Sequence, residues 1–376
     1  MGSFKPLLAL SALATLAHAA THELIVGTFG TNVLYTLEFD DEALTLDLAA
    51  NTSVPAASSW IALSHDKKNL YGTSFTASTP QFVGYTLANA SSITHDNTIA
   101  VGGNCTGKAI FVVADHNPPH AVYGSLFGGD AAGCGGVMSV EEGVLDALVQ
   151  DYTYFPTSGV HGTALSPDSR FLYSADDSGN SLWTHSVDST TGELTYVANL
   201  TGPSTGSDPR HVAVHPRGQH LYVVLEGSSE LAQYTIDPQT GLPSFDTVYP
   251  LKKANESASN FWADEVALSF SSSYLWATNR ARNSSGNGGL GYISAFDLDE
   301  SGAITKQNFL VSTTSSGGSA NSVAPSTFSD RFVALTDSET GFVEIWELAD
   351  DGQSATVVAH LDLADGGCCA NAVWYS

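Results

Sequence analysis

The sequence predicts an all-β protein, a seven-bladed β-propeller whose ring is closed by the C-terminal strand. Two observations predict this fold. A strand-turn-strand pattern recurs along the whole chain, and each end of the chain carries one half of that pattern. The composition agrees, because 14% charged residues and 35 glycines fit short strands joined by turns better than surface helices. We predict no helix of appreciable length.

The repeat is clearest in its first two strands, where an Ala stands eight residues before a large apolar residue. Between them lies a turn, such as 166–170 with the sequence SPDSR, flanked by β-branched and aromatic residues. Six copies of this offset begin at Ala62, Ala114, Ala164, Ala213, Ala267 and Ala324. Seven further hairpins begin near Val33, Phe82, Val137, Ser181, Leu231, Tyr292 and Phe342.

The two chain ends supply the missing seventh strand pair. Residues 24–29 (LIVGTF) match 70–75 (LYGTSF), and residues 370–374 (ANAVW) match 320–324 (ANSVA). The last strand therefore completes the first blade, and this closure leaves only short, protected sheet edges. We predict one domain over residues 20–376. Two all-β domains side by side, the alternative, would leave the match between the ends unexplained.

Residues 1–19 have the layout of a secretory signal peptide. Lys5 precedes an apolar run over 7–16 and the small-residue sequence Ala17-His18-Ala19, so we expect cleavage near Ala20 and an extracellular protein. Glycosylation is expected at some of six sequons, at Asn51, Asn89, Asn104, Asn199, Asn255 and Asn283. Export also favours disulfides among Cys105, Cys134, Cys368 and Cys369, and we favour the pair Cys105–Cys134.

The charge of the chain excludes some classes of partner. A formal net charge of −26 repels nucleic acids and anionic membrane surfaces. After residue 19 no apolar stretch is long enough to span a bilayer. We therefore predict neither a nucleic-acid nor a membrane partner, and the sequence does not predict the oligomeric state.

Two sets of equivalent positions form the candidate site, because inner strands of a propeller begin, and second strands end, around one mouth of the central channel. Three residues before the Ala position stand Ser59, Phe111, His161, Arg210, Asp264, Asn321 and Asn371. Five residues after the large apolar position stand Phe29, Phe75, Phe127, Asp177, Glu226, Arg280 and Asp337. One side of the mouth is thus predicted to be apolar and the other polar, which suits a small organic acid.

Arginine is scarce in this chain, so two arginines at one mouth indicate carboxylate binding. Two alternatives stand beside this interpretation. Polar residues at these positions can be solvated loop ends, and Glu226 with Arg280 can be a structural ion pair between blades. For Asp177 and Asp337 we predict a structural or supporting role. The histidines are too scattered for a shared ion, so we predict no metal and no cofactor.

At these residues the chain resembles the fungal 3-carboxy-cis,cis-muconate lactonising enzymes, or carboxymuconate cyclases, which are seven-bladed lactonase-family propellers. The matching segments are 159–162 (GVHG), 172–176 (LYSAD), 182–185 (LWTH), 208–210 (DPR), 225–227 (LEG), 279–281 (NRA) and 371–375 (NAVWY).

This resemblance implies a metal-free active site of His161, Arg210, Glu226 and Arg280, and a reaction in which a carboxylate adds to a double bond to give a muconolactone. The arginines would bind carboxylates and stabilise the developing enolate. Either His161 or Glu226 would transfer the proton, with His161 the first candidate for the acid. Further substrate contacts are predicted from Asn321, Asn371, Phe29, Phe75, Phe127 and Phe111.

One departure keeps other functions open. The pathway that the family serves is intracellular, whereas this chain carries a predicted signal peptide, sequons and four cysteines. A secreted lactone hydrolase of the 6-phosphogluconolactonase type and a non-enzymatic ligand-binding propeller are therefore the alternatives to the cyclase. The cyclase and the lactone hydrolase both imply a small-molecule carboxylate or lactone as substrate.

Overall fold

Seven four-stranded antiparallel sheets, the blades, make up the computed structural model, which describes residues 20–101, 106–128, 133–363 and 365–376. Within each blade the strands run in order from the innermost outward. Blade 1 comprises β28 (Ala372–Trp374), β1 (Thr21–Val26), β2 (Val33–Asp40) and β3 (Thr45–Ser53). Blade 2 comprises β4 (Ile61–Leu63), β5 (Asn69–Thr73), β6 (Gln81–Asn89) and β7 (Ser92–Ala100). Blade 3 comprises β8 (Lys108–Ala114), β9 (Val122–Phe127), β10 (Cys134–Glu141) and β11 (Val144–Thr153).

The remaining four blades repeat this order. Blade 4 comprises β12 (Val160–Leu165), β13 (Phe171–Asp176), β14 (Ser181–Val187) and β15 (Leu194–Thr201). Blade 5 comprises β16 (Pro209–Val214), β17 (His220–Leu225), β18 (Glu230–Ile236) and β19 (Pro243–Pro250). Blade 6 comprises β20 (Phe261–Leu268), β21 (Tyr274–Ala281), β22 (Tyr292–Leu298) and β23 (Ile304–Ser312). Blade 7 comprises β24 (Val323–Pro325), β25 (Phe332–Asp337), β26 (Phe342–Leu348) and β27 (Ala355–Asp362).

The predicted seven-bladed propeller is confirmed, including its closure. Strand β28 pairs antiparallel with β1, with Leu24 opposite Trp374 and Val26 opposite Ala372. The innermost strands of successive blades contact one another all the way round, from β4 to β28 and back to β4. In the described residues the only helical segments are two 3₁₀ turns, Ala258–Asn260 and Asn287–Gly289. None of the described helices is long and apolar enough to cross a membrane.

A tyrosine of the repeat joins neighbouring blades. In the second strands of four blades, the Tyr hydroxyl donates to a glycine carbonyl in the outer hairpin of the next blade; the pairs are Tyr71 to Gly143, Tyr123 to Gly192, Tyr173 to Gly241 and Tyr222 to Gly302. All four glycines have positive φ, which only glycine adopts without strain. The recurring Leu-Tyr and turn glycine of the sequence are thus the residues that fasten the blades together.

Irregular pairing of three innermost strands positions the polar side of the channel mouth. In blade 4, Val160 pairs with Asp176 and Gly162 with Ala175, so His161 has no partner across the ladder. Arg210 stands unpaired in the same way in blade 5. Such β-bulges kink the strand and turn the extra side chain in a new direction, and they are frequent beside active sites.

In blade 6 the irregularity involves two acidic residues. Ala263 pairs with Asn279 and Val266 with Ala277, so Asp264 and Glu265 together stand opposite Thr278. Asp264 and Glu265 are adjacent in the chain. In a regular strand their side chains would point to opposite faces, and the bulge removes this alternation. Both side chains are buried.

The structure pairs the adjacent cysteines Cys368 and Cys369 in a disulfide. Cys105 lies outside the described residues, so the pairing of Cys105 with Cys134 stays a prediction. The predicted signal peptide, residues 1–19, and the sequon at Asn104 also lie outside the described residues.

Candidate active site

A cavity of about 320 Å³ opens at the channel mouth, where the innermost strands begin and the second strands end. Its volume suits a small organic substrate. The lining residues are Phe29, Ser59, Trp60, Phe75, Lys108, Ile110, Phe127, His161, Asp177, Arg210, Glu226, Trp262, Arg280, Ser319, Ala320 and Asn371. Every residue predicted to be catalytic or to contact substrate, except Phe111 and Asn321, is therefore at the cavity wall.

Two arginines and two carboxylates from blades 5 and 6 form a connected cluster. Glu226 Oε2 lies 2.7 Å from Arg210 Nε and 2.9 Å from Arg280 Nη2. Arg210 Nη1 also forms an ion pair with Asp264 and donates to its backbone carbonyl at 2.7 Å. Arg280 Nη1 donates to the Ser319 carbonyl at 2.7 Å.

Both arginines and Asp264 are buried, so this cluster is not a set of solvated loop ends. The predicted ion pair between Glu226 and Arg280 does join neighbouring blades, and it also faces the cavity. Burial, and then the neighbouring Arg280, lower the pKa of Arg210 to about 10, which leaves its guanidinium charged at neutral pH. The arginines therefore present fixed, pre-oriented cations, an arrangement that stabilises developing negative charge.

Asp177 lies in the same polar wall, directly after β13. Burial raises the pKa of its carboxyl group to about 8, and the negative charge of Glu226 adds to this rise. At neutral pH Asp177 is thus mostly in its neutral acid form. The sequence predicts only a structural or supporting role for Asp177, whereas its place at the cavity wall makes it a candidate acid as well.

His161 occupies the boundary between the polar and the aromatic walls. Its ring packs edge-on against Phe127, with centroids 5.1 Å apart, and its Nδ1 lies 3.0 Å from Nε2 of His211. Burial, and then the charge of Arg210, hold the pKa of His161 well below its usual range. The imidazole is therefore neutral at physiological pH, so any proton that it gives up must be replaced from a neighbouring group.

Two residues behind His161 are not among the predicted site residues. His211 follows the bulged Arg210, and its Nδ1 lies 2.8 Å from Glu265 Oε2. Burial raises the pKa of Glu265 to about 8 and holds the pKa of His211 well below its usual range. The sequence does contain a signal for both residues, because His211 directly follows Arg210 and Glu265 directly follows Asp264, and both of these are predicted site positions. A regular strand would have turned both side chains away from the neighbours they contact.

The opposite wall is aromatic, as predicted. The rings of Phe29 and Phe75 meet edge to face at 5.3 Å. Lys108 Nζ lies 4.6 Å from the centroid of the Phe75 ring. This lysine was missed by the sequence reasoning, although it is one of only 13 Lys and Arg residues and pairs across the ladder with Phe127.

The prediction that Phe111 lines the site does not agree with its position. Its neighbour Ile110 is the bulged residue of blade 3 and lines the cavity, while Phe111 packs behind it against Trp60 and His211. The connection from Ala114 to its partner Val122 is one residue longer than the equivalent connection in blade 4. The offset of eight therefore misplaced this strand by one residue, which exchanges its two faces.

The two asparagines also have structural partners. Asn321 is buried behind the wall, where its side-chain amide donates to the Asn279 carbonyl at 2.7 Å. Asn371 reaches the cavity, but its side-chain oxygen accepts the Ile61 N–H at 2.9 Å and its amide donates to the Ile61 carbonyl at 3.2 Å. Both amides therefore tie the strands of neighbouring blades together.

Across the described ranges, no three His, Cys, Asp or Glu side chains are grouped so that they could hold a metal ion. The predicted absence of a metal stays a prediction.

Comparisons with known proteins agree on one family. The family model described as "Lactonase, 7-bladed beta-propeller" matches residues 23–287. The carboxy-cis,cis-muconate cyclase of Neurospora crassa is 35% identical over 94% of this chain and 99% of its own length. Muconate cycloisomerase 1 of Cutaneotrichosporon cutaneum is 26% identical over 88% of this chain and 91% of its own. The periplasmic gluconolactonase of Pseudomonas aeruginosa superposes with a TM-score of 0.77 over 95% of this chain and 99% of its own, at 15% identity, a likeness of fold.

Proposed function

The chain belongs to the seven-bladed β-propeller lactonase family, and from this premise we propose that it is a lactonising enzyme. It converts 3-carboxy-cis,cis-muconate, or a related unsaturated polycarboxylate, to a muconolactone. One observation carries the proposal: the paired cations Arg210 and Arg280 form one wall of a cavity, an aromatic wall lies opposite, and His161 lies at the boundary between the two. The resemblance over nearly the whole chain to a carboxy-cis,cis-muconate cyclase supports it.

The reaction needs a cationic site and one proton. An oxygen of one substrate carboxylate forms a C–O bond to a carbon of the diene. The π electrons of that double bond move toward a second carboxylate and form an enolate. The carbon next to that carboxylate then takes up a proton, so a trianion and one proton give a lactone that keeps two carboxylates. The enolate stage carries the largest concentration of charge, and fixed cations stabilise it most.

The cavity residues match these needs. Arg210 and Arg280 bind carboxylate oxygens and stabilise the enolate, and Glu226 holds the two guanidinium groups in place through its shared Oε2. A carboxylate already paired with two guanidinium groups is a poor proton donor. His161 is therefore the better candidate for proton transfer. Phe29, Phe75 and Phe127 contact the carbon frame of the substrate.

Replacing Lys108 with Met is expected to raise KM by about two- to fivefold while leaving kcat nearly unchanged, because a solvent-exposed charge contributes up to about 1 kcal/mol. Lys108 is exposed, and among the described residues no carboxylate lies within ion-pair distance of its Nζ. The cavity arginines, in contrast, are already paired. Lys108 thus suits a second substrate carboxylate at the aromatic wall. Steady-state kinetics at two ionic strengths would measure the effect.

Lys68→Met is the matched control, since Lys68 is a lysine of blade 2 paired with Asp66. Its KM should equal that of the wild type. An unchanged KM for Lys108→Met, or a KM increase that is the same at high salt, would contradict a carboxylate contact at Lys108.

We also propose that the protein is secreted and glycosylated. Five sequon asparagines lie in the described residues, at Asn51, Asn89, Asn199, Asn255 and Asn283, and none of them is buried. The Cys368–Cys369 disulfide is consistent with an oxidising route. Expression of the full chain in a secreting eukaryotic host, followed by glycosidase treatment and mass measurement, tests both points. Retention inside the cell without a mass shift would contradict them.

The ultraviolet absorbance of 3-carboxy-cis,cis-muconate tests the function directly. The purified mature protein should abolish the diene absorption, because lactonisation removes the conjugation. A protein that leaves the diene unchanged but releases acid from sugar or aryl lactones would be a lactone hydrolase. A protein that turns over neither, yet melts at a higher temperature with a ligand, would be a binding protein. Either outcome would overturn the cyclase proposal.

A further inference from the structure

Three buried side chains form a continuous path from the cavity into the body of the protein. His161 lies at the cavity wall, and its Nδ1 is 3.0 Å from Nε2 of His211. His211 Nδ1 is in turn 2.8 Å from Oε2 of Glu265. All three residues are buried, and two of them, His211 and Glu265, do not line the cavity.

The surroundings of His211 indicate which ring nitrogen carries its proton. Arg210 Nη1 lies 3.4 Å from His211 Nδ1, but its two hydrogens serve the carbonyl and the carboxylate of Asp264, so the proton that His211 Nδ1 can accept is that of a neutral Glu265, whose Oε2 is 2.8 Å away. The proton of the neutral ring then sits on Nε2, which donates to Nδ1 of His161. The proton of His161 consequently sits on its Nε2, the nitrogen that does not face His211.

Glu265 has the environment of a neutral acid. Its Oε1 accepts the Val266 N–H at 3.1 Å, while Oε2 lies 2.8 Å from His211 Nδ1, a distance over which a proton can pass. Burial raises the pKa of Glu265 to about 8, against the opposing effect of the Arg210 charge. At neutral pH the carboxyl group therefore carries a proton that it can pass to His211.

We propose that Glu265 and His211 are positioning residues that orient His161 and resupply it with the proton used in lactonisation. This inference rests on the proposed function and deepens it, since it identifies the source of the proton. A neutral imidazole is by itself a very weak acid. Coupled to a buried carboxylic acid through a second imidazole, it can donate without any of the three groups becoming a cation.

The proton movements balance. His161 Nε2 gives its proton to the enolate carbon, while His161 Nδ1 takes the proton of His211 Nε2. His211 Nδ1 takes the proton of Glu265, which ends as a carboxylate beside Arg210. After the lactone leaves, a water molecule in the cavity supplies one proton, and the path returns to its starting state. One proton is consumed in each turnover, as the conversion of a trianion to a dianion requires.

Other ionisable groups face this path and bear on its pH dependence. Arg210 and Arg280 influence both histidines, and Arg210 also influences Glu265. Asp177 is a second neutral acid at the cavity wall, with a pKa also raised to about 8. Asp177 is therefore the rival proton source, and the experiment must distinguish it from Glu265.

The test is the pH dependence of kcat for the wild type, Glu265→Gln and Asp177→Asn. The wild-type kcat should fall above about pH 8, where Glu265 loses its proton. Glu265→Gln should lose this decline and show a kcat at neutral pH at least about tenfold lower, with KM little changed, as expected when proton transfer alone is impaired. Asp177→Asn should keep the decline.

His220→Gln is the matched control, because His220 is a buried histidine at the first residue of β17, the opposite end of that strand from Glu226. Its pH profile should be that of the wild type. A decline that persists in Glu265→Gln and disappears in Asp177→Asn would overturn the inference in favour of Asp177. A wild type without diene turnover would instead refute the proposed function, so the two failures are distinguishable.

A spectroscopic measurement on the wild type covers the case in which Glu265→Gln does not fold. Infrared difference spectra between pH values below and above 8 should show the loss of carboxylic-acid C=O absorption, since Glu265 titrates at about that pH. Part of this signal should remain in Asp177→Asn, and it should shift in His211→Gln, which breaks the contact with Glu265. The absence of any residual signal in Asp177→Asn would overturn the inference.

Discussion

Replacement of Arg210 by Met is expected to lower kcat/KM for lactonisation by about three orders of magnitude, close to the effect of removing a preorganised donor to a developing anion. Arg210 contacts both Glu226 and Asp264, so its loss also leaves two carboxylates in the cluster with Arg280 alone. Breaking a buried ion pair in this way costs about 3 to 5 kcal/mol of stability. Diene kinetics and denaturant unfolding would measure the two effects.

The double variant Arg210→Met with Asp264→Asn separates stability from catalysis. Asp264 is almost completely buried, and the amide removes its unpaired charge while keeping an acceptor oxygen. We expect the double variant to recover much of the unfolding free energy but none of the activity. An Arg210→Met enzyme that kept a tenth or more of the wild-type kcat/KM, by the scale of such effects, would show that Arg210 is only structural.

Replacement of His161 by Gln is expected to lower kcat by at least about a hundredfold, the typical effect of removing a general acid. Gln retains a hydrogen-bond donor at the cavity but cannot pass a proton on. KM should stay within a few-fold of the wild type, because the arginines that bind the carboxylates remain in place. Stability should change little, since the ring makes no ion pair in the described part of the chain.

Two further variants make this result interpretable. His185→Gln changes a buried histidine that packs among Trp183, Tyr152 and Tyr154 in the outer part of blade 4, away from the cavity, and should keep full kcat. Glu226→Gln should mainly raise KM by loosening the two arginines. If Glu226→Gln abolished kcat while His161→Gln retained it, Glu226 would be the proton donor and the assignment of that role to His161 would be wrong.

The fold could be predicted from the sequence because a seven-bladed propeller contains the same four-stranded sheet seven times. Each blade needs the same apolar inner strands and the same turn, and four blades add the same Tyr latch, so the pattern is present in many copies. The ring closure was predictable for the same reason, since the chain ends match interior copies of the repeat. The positions at the mouth followed from this alignment, and they placed His161, Arg210, Glu226 and Arg280 together.

The sequence predicted the site residues wrongly at positions where a blade departs from the repeat. The longer connection after Ala114 displaced Phe111 from the cavity wall and put Ile110 there instead. Nothing in the local residue types signals such a one-residue change, because both faces of an inner strand are apolar. Asn321 is a similar case, since its position in the repeat was identified but its buried partner Asn279 was not predictable.

The sequence by itself determined the architecture, its closure and which polar residues stand near the mouth, because these depend on a short-range pattern repeated along the chain. Only the tertiary structure decided which of these groups touch. The bulges at His161, at Arg210 and at Asp264 with Glu265 turn side chains from three different blades toward one another. Contacts between blades join residues that are far apart in the chain, and small changes in the distance between two side chains decide whether they touch. The path from His161 to Glu265 can therefore be identified only in the folded protein.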